Sequence, residues 1–394
     1  MKLQSIFTVF LVTLQPLLLS SLAKAQAPKR LVAYYRATDK QNKPIYTADN
    51  IPYDELTHII HVAVELAPAN DGSISVLKGA IEPNLTGMAH AFGAVVLVSP
   101  RGGATAFSSI AGSAATRSRF AQSLMNFVTT NSYDGVDIDW EVPEAADQAN
   151  CTLMMEALRQ AMPSPQYQLS MAVTDSPGSR GHYDFAALNQ IIDFYNVMSY
   201  DFHGPWSVYT GHNAPLFANH ADPDHVQSID DVVNTYVNTL GIPKSMLNLG
   251  MAFYGYEFPV ANLWDKCNCR ASVFSRKYGD YIKPRIDQNG WTSHVDSVSM
   301  APYLTSNDPN QPGFITYDDA ASTTRKVIYA LQVRDLGGVF MWELAEDFDG
   351  SSQDLMDAMY TAYYNITMSM QAGESPSIVG KRVLRTPSSA TFAR

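Results

Sequence analysis

Short apolar runs recur along this chain, with amphipathic stretches between several of them. The runs at 31–35, 58–64, 94–99, 135–140, 168–173, 194–200, 247–254 and 337–342 read as strands, and 118–130 and 322–334 as helices. Strands that alternate with helices predict an α/β fold, here a (β/α)8 TIM barrel. Functional side chains in that fold stand at the C-terminal ends of strands, which is where Glu141, Asp201, Tyr254 and Trp342 fall. The stretch 257–315 is longer than a helix and its loops require, and structureless loops of that length are uncommon in compact domains.

One run differs from the rest. After Asp134 and Gly135, the acids Asp137, Asp139 and Glu141 alternate with Val136, Ile138 and Trp140. Residues two apart on a strand share a face, so the acids form a row spaced about 6–7 Å at the backbone. Like charges that close push at least one pKa upward, an arrangement a fold rarely builds for stability. It suits a reaction needing one protonated acid beside a charged carboxylate, as in glycoside hydrolysis. A calcium loop also alternates acids, but it sets polar residues and a central glycine between them rather than Val, Ile and Trp.

Charge and targeting narrow the setting. A formal net charge of −11 argues against a nucleic-acid partner, whereas a neutral polysaccharide makes no demand on charge. Lys2, the apolar stretch 6–19 and Ala23-Lys24-Ala25 read as a signal peptide over 1–25. The expectation is a secreted monomer, free of the membrane once the leader is removed, with no metal and no organic cofactor. Cys151, Cys267 and Cys269 match no metal pattern. Cys267 and Cys269 read as too close for an easy unstrained bridge, and Cys151 could reach one of them if the fold allows. Asn84, Asn150 and Asn365 head glycosylation sequons. The end of the chain, 368–394, is expected as a disordered tail because its Ser-, Thr- and Pro-rich stretch has no apolar period.

The acidic row matches the DGxDxDxE signature of glycoside hydrolase family 18, the chitinases and their relatives, and the chain resembles that family elsewhere. Met198-Ser199-Tyr200-Asp201-Phe202-His203-Gly204-Pro205-Trp206 is similar to the family segment M-x-Y-D-F-H-G-x-W. Phe253-Tyr254-Gly255 resembles its Y-G strand, and Gly337 to Trp342 its final strand, which ends in tryptophan. The resemblance covers about 29–365. It implies a barrel catalytic domain with a small α+β insertion, 257–315, between strands 7 and 8. Tyr278, Tyr281, Trp291 and Tyr303 would be the core of that insertion or sugar platforms.

The resemblance also implies the chemistry. Glu141 would be the general acid and then the base, while Asp139 would orient the substrate's own acetamido group as nucleophile. Asp137 would tune that pair, sharing a proton with Asp139, and Tyr200 would donate to the acetamido carbonyl. Asp201 would bind sugar hydroxyls or help distort the ring, Trp342 would floor the reacting sugar, and Trp206 would stack on a product-side sugar. Met198, Tyr254, Trp140 and Tyr34 would line the pocket or pack the barrel. The implied partner is chitin or N-acetylglucosamine oligosaccharides. Alternatives are an endo-β-N-acetylglucosaminidase acting on glycoprotein glycans or peptidoglycan, and a non-catalytic chitin-binding lectin. Some positions depart from the family pattern. Tyr256 stands where an arginine is common, which would remove a contact to the sugar or to Asp201. Ser99-Pro100-Arg101-Gly102-Gly103 is one residue longer than S-x-G-G, and its glycines read as a tight turn.

Overall fold

A computed structural model describes residues 28–372, apart from 40, 42 and 268. The barrel is built from β1 (Arg30–Tyr35), β2 (His58–Leu66), β4 (Val95–Arg101), β5 (Gly135–Asp139), β6 (Gln168–Thr174), β7 (Phe194–Met198), β8 (Leu247–Ala252) and β14 (Gly338–Trp342), while the short β3 (Ile74–Val76) folds back on β2. Neighbouring barrel strands are parallel, and β1 pairs with both β2 and β14, so the sheet closes on itself. These are the eight strands expected from the apolar runs. Closure buries both faces of each strand, which is why the runs are nearly continuous rather than alternating.

Helices cover the outside. The helix Ala114–Thr130 starts where the Ser113 side chain accepts the Thr116 N–H, supplying a partner to an otherwise orphan donor. It buries Phe120, Leu124, Phe127 and Val128, one stripe at helical spacing. The barrel interior, by contrast, carries a polar column. Arg30 Nε donates to Asn248 Oδ1 (3.0 Å), Asn248 Nδ2 to Asn196 Oδ1 (2.9 Å), and Asn196 Nδ2 to Asp137 Oδ1 (3.4 Å). Asn248, Asn196 and Asp137 are fully buried, so each polar group needs these partners.

The run 247–254 is two strands rather than one. β8 ends at Ala252, and Tyr254 opens β9 (Tyr254–Phe258), the first strand of the insertion. The insertion is an antiparallel sheet of β9, β10 (Phe274–Lys277), β11 (Trp291–Asp296), β12 (Ala301–Ser306) and β13 (Phe314–Thr316), in the order β10-β9-β13-β12-β11. It therefore reaches past both ends of 257–315. Gly255 permits the close crossing, since a Cβ there would lie 2.0 Å from the Thr316 carbonyl oxygen.

Three further expectations meet the structure here. Cys267 and Cys269 are bonded to each other with Cα atoms 5.0 Å apart, within the ordinary range, which corrects the reading that they stand too close. Cys151 is buried in the helix Gln148–Ala161 as a free thiol. The last helix, Asp354–Gln371, runs into the expected tail, so 368–371 is helical and the remainder beyond 372 lies outside the described residues, as does the leader over 1–25. Among the described residues no helix is long and apolar enough to cross a membrane.

Candidate active site

A cleft of about 230 Å³ opens at the C-terminal end of the barrel. Asp139 and Glu141 enter it from β5, Asp175 from the end of β6, and Met198, Tyr200 and Asp201 from β7 and the turn after it. Tyr34, Tyr254, Phe340 and Trp342 complete most of the wall. Nine of the eleven sequence candidates thus line one cavity or, as with Asp137, lie directly beneath it. Trp140 and Trp206 are the exceptions.

Asp137 is held from four sides. Its Oδ2 accepts from Tyr34 Oη (2.8 Å) and Ser99 Oγ (3.2 Å), and its Oδ1 from Ser170 Oγ (2.6 Å) and Asn196 Nδ2 (3.4 Å). Tyr34 Oη also takes the Asn196 amide proton (3.3 Å), so its own proton points at Asp137. Burial raises the Asp137 carboxyl above its ordinary range, and the four hydrogen bonds pull it back by favouring the charged form.

Asp139 and Glu141 behave differently. Asp139 is pushed well up, first by burial and then by the charges of Glu141 and Asp137. Its hydrogen-bonded neighbour is Glu141, and its Oδ1 is buried without a partner. Glu141 is also raised, by burial and by Asp201, while the bond to Asp139 holds it down. It reaches solvent through the cleft mouth although protein crowds its other sides. The two acids therefore hold one proton as a pair, beyond the pH at which a free carboxyl gives it up. Asp137 takes its hydrogen bonds from four other donors and acts on Asp139 through its charge.

Tyr200 is buried in the wall, and its hydroxyl has no protein hydrogen bond among the described residues. Burial raises its pKa well up, so it enters any reaction as a donor. Asp201 has φ +64°, the left-handed region that Asp tolerates better than most residues. The Asn213 side chain fixes that turn by accepting the Asp201 N–H (2.9 Å). The Asp201 carboxylate accepts from Tyr254 Oη and from Tyr256 Oη (2.8 Å). Tyr256 thus supplies the contact expected to be lost with the arginine. Trp342 packs on Tyr34, ring centroids 5.4 Å apart, and Arg36 lies over its ring at 5.3 Å. Arg36 is itself held by Glu343.

Trp140 needs correcting. It follows Val136 and Ile138 onto the outer face of β5, is fully buried, and stacks on Phe107 at 5.6 Å. It packs barrel against helix and does not line the cleft. Trp206 lies on the rim, half exposed and edge-on to Tyr256 at 5.7 Å. Ser170, Asn196 and Asp175 were missed. A polar residue at an inward position of an apolar strand next to the acidic row was the available signal for Ser170 and Asn196. Nothing in the sequence marked Asp175, whose carboxyl burial lifts to about 7 with help from Asp201 and against Arg180. The glycines after Ser99 do more than turn: at Gly102 a Cβ would meet Leu66 at 2.3 Å, so the loop closes on that side chain.

Comparison with known proteins bears on the fold and its family. Residues 30–347 match the model of "Glycosyl hydrolases family 18". Chitinase 1 of Aphanocladium album is 35% identical over 257 residues, 63% of this chain and 60% of the relative. Chitinase A1 of Niallia circulans is 30% identical over 286 residues, 64% of this chain and 40% of the relative. The aligned region thus spans about 60% or less of the length of these curated relatives. Among solved structures, the Ostrinia furnacalis Group IV chitinase in complex with allosamidin superposes with TM-score 0.75 at 22% identity, over 86% of this chain and 99% of that one. A family 18 N-acetylglucosaminidase from Paenibacillus barengoltzii gives 0.73 at 26% identity, over 85% of this chain and 99% of that one. With the family model matched across the whole barrel, the chain belongs to glycosyl hydrolase family 18.

Proposed function

We propose that this protein is a chitinase that cleaves β-1,4 bonds between N-acetylglucosamine units with retention of configuration, using the substrate's acetamido group as nucleophile. The observation that carries this reading is the Asp139–Glu141 pair beside the unpartnered Tyr200 hydroxyl. Glu141 gives its proton to the glycosidic oxygen as the bond to C1 breaks. The acetamido carbonyl oxygen closes on C1 to form an oxazolinium ion. Asp139 accepts the acetamido N–H and stabilises the positive charge, while Tyr200 donates to the carbonyl oxygen and aligns it. Glu141, now a carboxylate, takes a proton from water as that water attacks C1, which opens the ring and restores the acid.

Aromatic walls suit this substrate because a pyranose presents apolar C–H faces, with its hydroxyls at the edge. The leader read in 1–25 supports export of the enzyme. Chitin-oligosaccharide hydrolysis by the wild type and Glu141→Gln, with product anomers followed by NMR, tests the reading. β-Anomeric products from the wild type, and turnover lowered at least about a hundredfold in the variant, are expected. Binding without turnover in both would make the protein a lectin. Preferred release of glycans from high-mannose glycoprotein would overturn the chitin assignment.

A further inference from the structure

The insertion carries a second groove, away from the cleft. Cross-strand register fixes which side chains share a face of its sheet. Tyr254 and Tyr256 on β9 face Asp201 and the cleft. Glu257 lies between them and Phe258 in sequence, so it points to the opposite face. Phe274 pairs directly with Glu257, and Arg276 with Gly255, so both share that reverse face. Ile315 also pairs with Glu257, Leu304 with Ile315, and Trp291 with Ser306 two residues beyond Leu304, which brings Trp291 to the same side. A groove of about 440 Å³ runs across this end of the sheet from Phe274 to Trp291. The two residues sit on opposite edge strands, but the Trp291 ring reaches inward over Gly313 beside β13, which leaves the two rings about two strand spacings, roughly 10 Å, apart across the sheet. Two platforms at that spacing suit linked sugars rather than a single pyranose ring.

Its chemistry is that of a neutral, ring-shaped ligand. Phe274 is 50% exposed at the sheet edge. The Arg276 guanidinium occupies one face of its ring at 5.0 Å, which leaves the other face outward. The Trp291 ring lies over Gly313, where a Cβ would come within 2.5 Å, so the glycine makes room for the ring along the groove. The charges beside these rings are spent internally: Arg276 Nε bonds Glu257 Oε2 at 2.6 Å, and Tyr281 Oη donates to the same oxygen at 2.7 Å. Asp308 accepts the Asn310 N–H with one oxygen. Ser306 and Gln311 on the rim supply uncharged hydrogen-bonding groups.

We propose that this groove is an auxiliary binding site for a β-linked N-acetylglucosamine chain, with Phe274 and Trp291 as its stacking platforms. The choice of sugar rests on the reading of the cleft given above. The site would hold the enzyme on an insoluble polymer while the cleft works on a separate stretch of chain.

The test uses the full chain in the Glu141→Gln background, with and without Phe274→Ala/Trp291→Ala. Retention on chitin powder is measured by depletion, and chitohexaose stoichiometry by calorimetry. Two sites per molecule falling to one, and retention weakened about tenfold, are expected from the double variant. Phe274→Tyr/Trp291→Phe should restore retention. In the active background, turnover of soluble chitotetraose should stay unchanged, which separates loss of the groove from loss of the fold. Unchanged retention and stoichiometry in the double variant would overturn the proposal. So would a concentration-dependent dimer that the same substitutions abolish, because the groove would then be a self-interface. Absence of chitotetraose turnover in the wild type would refute the cleft reading instead, with the groove still judged by retention.

Discussion

Ser170→Ala removes a single oxygen from the barrel interior and tests whether Asp137 is held as a carboxylate. Ser170 Oγ stands 2.6 Å from Asp137 Oδ1, and both residues are fully buried. Without it, Oδ1 keeps only the long 3.4 Å contact to Asn196. A hydrogen bond to a charged group contributes about 1.5–3 kcal/mol, and one to a neutral group about 1 kcal/mol. The expected loss is therefore about 2 kcal/mol where Asp137 is ionised. Its sign with pH follows from linkage. The substitution raises the native-state pKa of Asp137 further, so its cost is fully present above that pKa and shrinks as pH falls through it. Urea denaturation at about pH 8 and about pH 4 should show the larger loss at the higher pH, with unchanged m-values. A loss below about 0.5 kcal/mol, or one equal at both pH values, would refute the claim that four donors hold a charged Asp137.

The Asp201 charge raises the Glu141 carboxyl, so Asp201→Asn should move the descending limb of the kcat/KM profile to lower pH while leaving an acceptor for Tyr254 and Tyr256. A limb that stays in place, measured with a fluorogenic chitooligosaccharide, would count against that coupling. Asp347 accepts the Leu355 (3.2 Å) and Met356 (2.8 Å) N–H groups at the start of the last helix. Asp347→Ala should cost about 1–2 kcal/mol in chemical denaturation and leave turnover per folded molecule unchanged.

The barrel and its acidic row were legible because both follow local periodicities. Burial on two faces writes continuous apolar runs, and alternation within one run puts three acids in a line. Trp140 shows the limit of that logic. Its place after a strand resembled that of Trp342, but parity sends it outward to Phe107 while Trp342 turns in. Asp175 was silent, and Ser170 showed only as a polar residue in an apolar strand, because their roles come from strands that are neighbours in the barrel but distant in sequence. The run 247–254 misled for a similar reason. A single residue separates Leu247–Ala252 from Tyr254–Phe258, and their pairing partners divide the barrel from the insertion.

That continuity bears on how the protein can be taken apart. The insertion has no linker to cut: its first residue, Tyr254, is one position beyond Phe253, which follows directly from the barrel strand. Tyr254 and Tyr256 both grip the Asp201 carboxylate. A chimera that exchanges the insertion at the visible edge of its sheet would cut through the candidate active site and release Asp201 from its clamp. A working graft has to keep the donor junction after Tyr256 and treat the first strand as property of the barrel. The unit that natural recombination could trade without releasing that clamp is thus smaller than the unit that the eye picks out.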